Sequence, residues 1–131
     1  MGAQFSPDDR WVAFTSNTSG RDEVYVAPFG SPGSTLIVSS AGGRAARWRR
    51  DGKEIFYLSL ADELMAVEVR AAGDSLNLGT PRRLFQAHPI WQGWSSYVVS
   101  PDGQSFLINS FPEETPARIV LIQDWTALLP R

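Results

Sequence analysis

Apolar residues fall in short runs along this chain, at 11–14, 23–29, 35–38, 54–58, 64–69, 76–78, 97–99, 106–108 and 119–122. Turn formers separate them: Ser19-Gly20, Gly30-Ser-Pro-Gly33, Gly42-Gly43, Asp51-Gly52, Ala72-Gly-Asp74, Asp102-Gly103 and the Pro-rich stretch 112–116. Runs of this length with such boundaries predict β-strands. Two of them, Ile55-Phe-Tyr-Leu58 and Ile119-Val-Leu-Ile122, are apolar at every position. Successive strand side chains point to opposite faces, so a strand covered on one side alternates, whereas a strand apolar throughout is covered on both. A parallel sheet flanked by helices gives the same pattern but needs crossover helices of a dozen residues or so. No amphipathic helix of that length is visible. The pattern predicts an all-β protein.

The runs recur with a period. Phe5-Ser-Pro-Asp-Asp-Arg-Trp-Val-Ala-Phe14, Trp48-Arg-Arg-Asp-Gly-Lys-Glu-Ile-Phe-Tyr57 and Val99-Ser-Pro-Asp-Gly-Gln-Ser-Phe-Leu-Ile108 each lead a turn into a strand. The shared Asp8, Asp51 and Asp102 are separated by 43 and then 51 residues. Self-similarity at such intervals marks stacked supersecondary units. A propeller sandwiches each four-stranded blade between its neighbours, which accounts for strands apolar on both faces. In the turn, Pro sets φ for the second position and Asp bonds the backbone ahead of it. The residue after Asp then needs φ > 0, which Gly52 and Gly103 adopt freely. The first copy has Asp9 at that position, and the second has Arg50 in place of Pro. The structural turn residues are therefore Pro7, Asp8, Asp51, Gly52, Pro101, Asp102 and Gly103.

These repeats resemble those of TolB-type, WD-repeat-like β-propellers, in which Ser-Pro-Asp-Gly joins the first two strands of a blade. Glu23-Val-Tyr-Val-Ala-Pro-Phe29, Gly42-Gly-Arg-Ala-Ala-Arg-Trp-Arg-Arg-Asp-Gly52, Gly79-Thr-Pro-Arg-Arg-Leu-Phe85 and Ile119-Val-Leu-Ile-Gln-Asp-Trp125 are similar to the last blades of propellers attached to bacterial serine/threonine protein kinases. The resemblance covers nearly all 131 residues. It departs at Ala46, where the family tends to have Pro, at Arg49 (Ser) and at Asp124 (Asn). It implies a cytoplasmic kinase carrying an extracytoplasmic propeller and supplies no catalytic residue.

The expected organisation is one partial β-propeller over 1–131, with blades at about 3–39, 45–85 and 94–125. Propellers close with about four to eight blades, so three are too few. The chain is expected to be part of a larger ring, or half of a six-bladed ring completed by a second copy. An open arc exposes an apolar blade face at each end, which favours association.

Composition narrows the chemistry. The apolar fraction is 43%, the charged fraction 20% and the net charge −2, so no basic field gathers nucleic acid or an anionic membrane. Arg44, Arg47, Arg49 and Arg50 surround Trp48, but alternation sends Arg47 and Arg49 to the face opposite the indole. There is no Cys, hence no disulfide framework and no thiolate site. No apolar run reaches the roughly 18 residues of a membrane span, and the N-terminus lacks the features of a signal peptide. The compartment stays open.

No catalytic, cofactor or metal residue is assigned. His88 is the only histidine and has no metal-ligand spacing. Gly93-Trp-Ser-Ser-Tyr97 lacks the closing Gly of a nucleophile elbow. The pairs Asp62-Glu63 and Glu113-Glu114 sit in turns and face no shared centre, and no phosphate loop or kinase segment is present. The linker 86–95 is long and holds the candidate ligand-binding residues His88, Trp91 and Trp94, since loops on rigid scaffolds carry function. The alternative is that both tryptophans pack over a blade edge.

The expected function is therefore a non-catalytic binding or scaffolding propeller module, forming the sensory end of a larger signalling protein. Its partner is a protein, a peptide or a second copy; no nucleic acid, cofactor or membrane span is expected. The alternative is the propeller of a prolyl-oligopeptidase-like serine peptidase without its hydrolase domain, against which the chain end soon after Trp125 speaks.

Overall fold

A computed structural model describes residues 3–30, 34–73, 75–87, 97–110 and 118–123. These residues form twelve strands and no helix: β1 (Ala3–Phe5), β2 (Trp11–Ser16), β3 (Glu23–Pro28), β4 (Leu36–Ile37), β5 (Arg44–Trp48), β6 (Glu54–Leu58), β7 (Glu63–Ala72), β8 (Ser75–Leu78), β9 (Arg82–Gln86), β10 (Tyr97–Val99), β11 (Ser105–Ser110) and β12 (Arg118–Gln123). The protein is all-β, as the periodicity predicts. Among the described residues no helix is long and apolar enough to cross a membrane.

The strands form three antiparallel sheets, ordered β1-β2-β3-β4, β5-β6-β7 with β8 and β9, and β10-β11-β12. The second has five strands rather than four. Its β7 is ten residues long, enough for its first half to pair with β9 and its second half with β8. Strands β1, β5 and β9 fall outside the apolar runs. β1 is short, and β5 and β9 begin on arginines that the pattern marks as polar.

All five residues of β6 are buried, and they separate into two cores. Ile55 and Tyr57 join Trp11, Ala13, Val24 and Val26 between the first and second sheets. Phe56 and Leu58 join Leu64, Leu84, Tyr97 and Phe106 between the second and third. The Phe56 and Phe106 rings meet edge-on at 5.1 Å between centroids, a favourable aromatic geometry. Continuous apolarity thus reports a sheet covered on both faces.

Several buried polar side chains inside this stack are paired, as burial favours. The buried Glu23 carboxylate accepts from Ser39 Oγ and from Arg21 Nε at 2.8 Å. Burial, helped by the Glu23 charge, pushes the Tyr57 hydroxyl up to about 12. The Tyr97 hydroxyl donates to the Ala45 carbonyl at 2.6 Å, and the Arg47 guanidinium lies 5.5 Å from the Tyr97 ring centre. Tyr97 stays protonated chiefly because it is buried.

Candidate functional site

The three repeat turns share one hydrogen-bond plan. Ser6 Oγ donates to Asp8 Oδ1 at 2.6 Å and accepts the Trp11 N–H at 3.1 Å, while the Arg10 N–H donates to Asp8 Oδ1 at 3.1 Å. The third turn repeats this with Ser100, Asp102, Gln104 and Ser105. In the second, Arg49 replaces the serine, and its Nε donates to Asp51 Oδ1 at 2.8 Å. Each turn closes with a backbone bond of 2.9 Å, from Asp9, Gly52 or Gly103 to the carbonyl three residues back.

These donors hold all three carboxyls below the usual carboxylate range: Ser6 foremost for Asp8, Arg49 for Asp51 and Ser100 for Asp102. The residue after each Asp has positive φ: 60° at Asp9, 74° at Gly52 and 71° at Gly103. The left-handed conformation expected of Asp9 is therefore present.

Sheet packing brings the first two turns together. A Cβ added to Gly52 would lie 3.6 Å from Pro7 Cδ, and the Trp48 indole N–H donates to the Gln4 carbonyl at 2.9 Å. Between them opens a cleft of about 350 Å³. Its floor is apolar, with buried Trp11, Val69 and Leu76 beside half-buried Trp48. Its rim carries both signs of charge, from exposed Asp8, Asp51, Lys53 and Arg70. Lys53, Val69 and Arg70 also line a neighbouring cleft of about 250 Å³. There the buried Glu54 carboxylate is held by Arg49 at 3.1 Å and Arg82 at 2.9 Å.

Pro7, Asp8, Asp51 and Gly52 thus converge on one groove, while Pro101, Asp102 and Gly103 sit in the third sheet's turn, outside that lining. His88, Trp91 and Trp94 lie outside the described residues. Among the described residues no cluster of three or more His, Cys, Asp or Glu could hold a metal ion. The arginines around Trp48 do not present a common basic face. Arg47 meets Tyr97, Arg49 pairs with Asp51 and Glu54, and Arg44 reaches Asp22 at 3.9 Å. Asp62 and Glu63 also part, with Glu63 paired to Arg83 at 2.5 Å. Sequence reading overlooked Lys53, Arg70 and Leu76 as lining residues. The only available signal was Lys53, directly after the Asp51-Gly52 turn.

No family profile matches the chain, and no curated protein matches it. Solved structures do. TolB from Acinetobacter baumannii superposes with a TM-score of 0.65 at 19% identity, over 93% of this chain and 29% of that one. Oligogalacturonate lyase from Vibrio parahaemolyticus gives 0.63 at 13% identity, over 93% of this chain and 36% of that one. A structure described as a TolB from Agrobacterium tumefaciens gives 0.61 at 17% identity, over 95% and 47%. The chain therefore spans less than half the length of each of these proteins. At such identities the likeness is one of fold: this chain is an all-β array of antiparallel sheets with the architecture of TolB-like β-propellers.

Proposed function

We propose that this chain is a non-catalytic propeller module that binds a peptide segment of a partner protein in the groove between its first two sheets. The carrying observation is the groove itself, an apolar floor with two indoles inside a rim of two carboxylates and two cations. Aromatic anchors with a polar rim are the usual anatomy of a peptide or protein site. The mixed charge and the acidic balance of 14 Asp and Glu against 12 Lys and Arg suit a polypeptide better than a polyanion. The similarity of segments 23–29, 42–52, 79–85 and 119–125 to kinase-attached propellers supports placing the module at the sensory end of a signalling protein. Trp11 is buried and the half-buried Trp48 is fixed by its bond to Gln4, so both indoles form a rigid floor, and the described lining offers no activated nucleophile, which supports binding rather than catalysis.

Panning a random peptide library against the chain tests this reading, with affinities measured by tryptophan fluorescence. Peptides that lose about tenfold in affinity, roughly 1.4 kcal/mol, on Lys53→Glu or Arg70→Glu support it. Failure to select any peptide, or selected peptides indifferent to both substitutions, refutes it. Turnover of oligogalacturonate or of prolyl peptides by the purified chain overturns the non-catalytic part.

A further inference from the structure

The strands of the second sheet end unevenly. β6 pairs with β7 as far as Glu54 opposite Glu68, and the Val69 N–H donates to the Lys53 carbonyl at 2.9 Å. The Lys53 N–H turns back to Asp51 Oδ1, also at 2.9 Å, so the turn takes the donor that would have continued the ladder. β7 nevertheless runs on to Ala72, with β8 along one edge. Backbone groups alternate between the two edges of a strand. Val69 faces the β6 edge, and Glu68 faces the opposite one, where its carbonyl accepts the Gly79 N–H at 2.9 Å. Ala71 therefore turns both its N–H and its C=O to the β6 edge. Beyond Lys53 no strand lies along that edge among the described residues.

This open edge borders the groove. Exposed Ala71 lines it, opposite Leu76 in the β7–β8 register and so on the same face as the apolar floor. Glu68 and Arg70 alternate onto the other face of β7, towards the neighbouring cleft. There four cations, Arg49, Lys53, Arg70 and Arg82, face Glu54 and Glu68. Adding Asp51, which holds Arg49, sets four positive charges against three negative ones. The groove is lined from the first two sheets alone, so the site does not depend on what lies beyond either end of the array.

We infer that the partner's peptide binds as an added strand: it runs antiparallel to residues 69–72 of β7, in line with β6, and one of its residues exchanges two backbone bonds with Ala71. The inference rests on the peptide-binding reading and states how the segment is recognised. An open strand edge is a template for another strand; main-chain bonds then supply affinity and alternate side chains supply specificity. The residue opposite Ala71 points its side chain to the floor of Trp11, Trp48 and Leu76, which selects an apolar one. Its two neighbours point to the Arg70 face, where the excess of positive charge selects Asp or Glu. The recognised segment is therefore extended, an apolar residue flanked by acidic ones.

A selected peptide that responds to Lys53→Glu or Arg70→Glu establishes the groove; single backbone N-methylations along that peptide then test the strand. Methylation at the residue paired with Ala71 is expected to weaken binding about tenfold, and methylation at either neighbour to change it little. A peptide that tolerates methylation at every position overturns strand addition while the groove reading stands. In the chain, Ala71→Pro removes the N–H on the groove side and keeps the β8 ladder, whose bonds fall to Arg70 and Ala72. It is expected to lose about tenfold in affinity with unchanged circular dichroism; full affinity overturns the proposal. Amide exchange on the unaltered chain gives the same answer without a substitution. The Ala71 amide should exchange freely in the free chain and become protected on binding, and protection before peptide is added, or none gained after, refutes the open edge. Replacing the flanking acidic residue by Asn or Gln should cost about tenfold against the natural chain and little against Arg70→Gln. Selected peptides that carry no acidic residue overturn the predicted pattern.

Discussion

Asp9, Gly52 and Gly103 occupy one backbone position in three turns, and exchanging residues there separates strain from packing. Gly52→Ala places an L side chain at φ 74° with nothing nearer than Pro7 Cδ at 3.6 Å. Left-handed backbone costs a non-glycine residue about 1–2 kcal/mol, and the stiffer unfolded chain returns about 0.4–1 kcal/mol. The expected net loss is about 1 kcal/mol. Gly103→Ala meets the same strain, and its new methyl would sit 2.5 Å from Arg49 Cδ. Arg49 is held by Asp51 and Glu54, so moving it adds an overpacking cost of about 1–3 kcal/mol. Asp9→Gly runs the other way, relieving strain at φ 60° while loosening the unfolded chain, for a net gain of about 0.5 kcal/mol.

Urea unfolding followed by tryptophan fluorescence measures all three, together with Gly103→Ala in an Arg49→Ala background. There its cost should fall to that of Gly52→Ala, giving a coupling of about 1–3 kcal/mol. Equal costs for Gly52→Ala and Gly103→Ala, or no coupling to Arg49, would refute the packing account. A destabilised Asp9→Gly would refute the strain account.

Acid should weaken the turns. Asp8, Asp51 and Asp102 titrate below the ordinary 3.8 in the folded chain, so their contribution is present above the unfolded value and lost as pH falls through the folded ones. The melting temperature should drop progressively below about pH 4, and less steeply when Ser6→Ala and Ser100→Ala are combined. A pair of parallel acid profiles would contradict this. Phe106→Ala, which empties a site between the second and third sheets, should cost about 3–5 kcal/mol in chemical denaturation. Gly43→Ala drives a methyl to 2.7 Å from the Tyr57 ring and should cost about 1–3 kcal/mol. A neutral result would mean that the ring and the β5 approach can separate freely.

What the sequence determined is what five or six neighbouring residues decide among themselves. Ser6 to Asp8, Asp8 to Arg10 and Trp11 to Ser6 are all bonds within one turn, so Ser-Pro-Asp-x could be read before any fold was known. Positive φ at Asp9 followed from alignment with Gly52 and Gly103. The covering of β6 on both faces followed from four consecutive apolar residues, Ile55-Phe-Tyr-Leu58, because a strand exposes or hides its two faces independently. Other features left no local trace. Ala45 has φ 60° beside a register shift in β5, although nothing about alanine announces it. β5 and β9 are strands despite their arginines because each arginine finds a partner outside its own strand: Arg44 reaches Asp22 and Arg47 lies against Tyr97, while Arg82 pairs with Glu54 and Arg83 with Glu63.

The groove is still less local. It exists because Trp48 reaches Gln4 and Gly52 lies beside Pro7, contacts between positions more than forty residues apart. Spacing along the chain carries no distance of that kind; only the stacking of one sheet on the next sets it. The same stacking decides which apolar residues count as core and which as surface. Phe56 and Leu107 hold the same repeat position, and one is buried while the other is exposed because, among the described residues, only Phe56 has a following sheet packed over it.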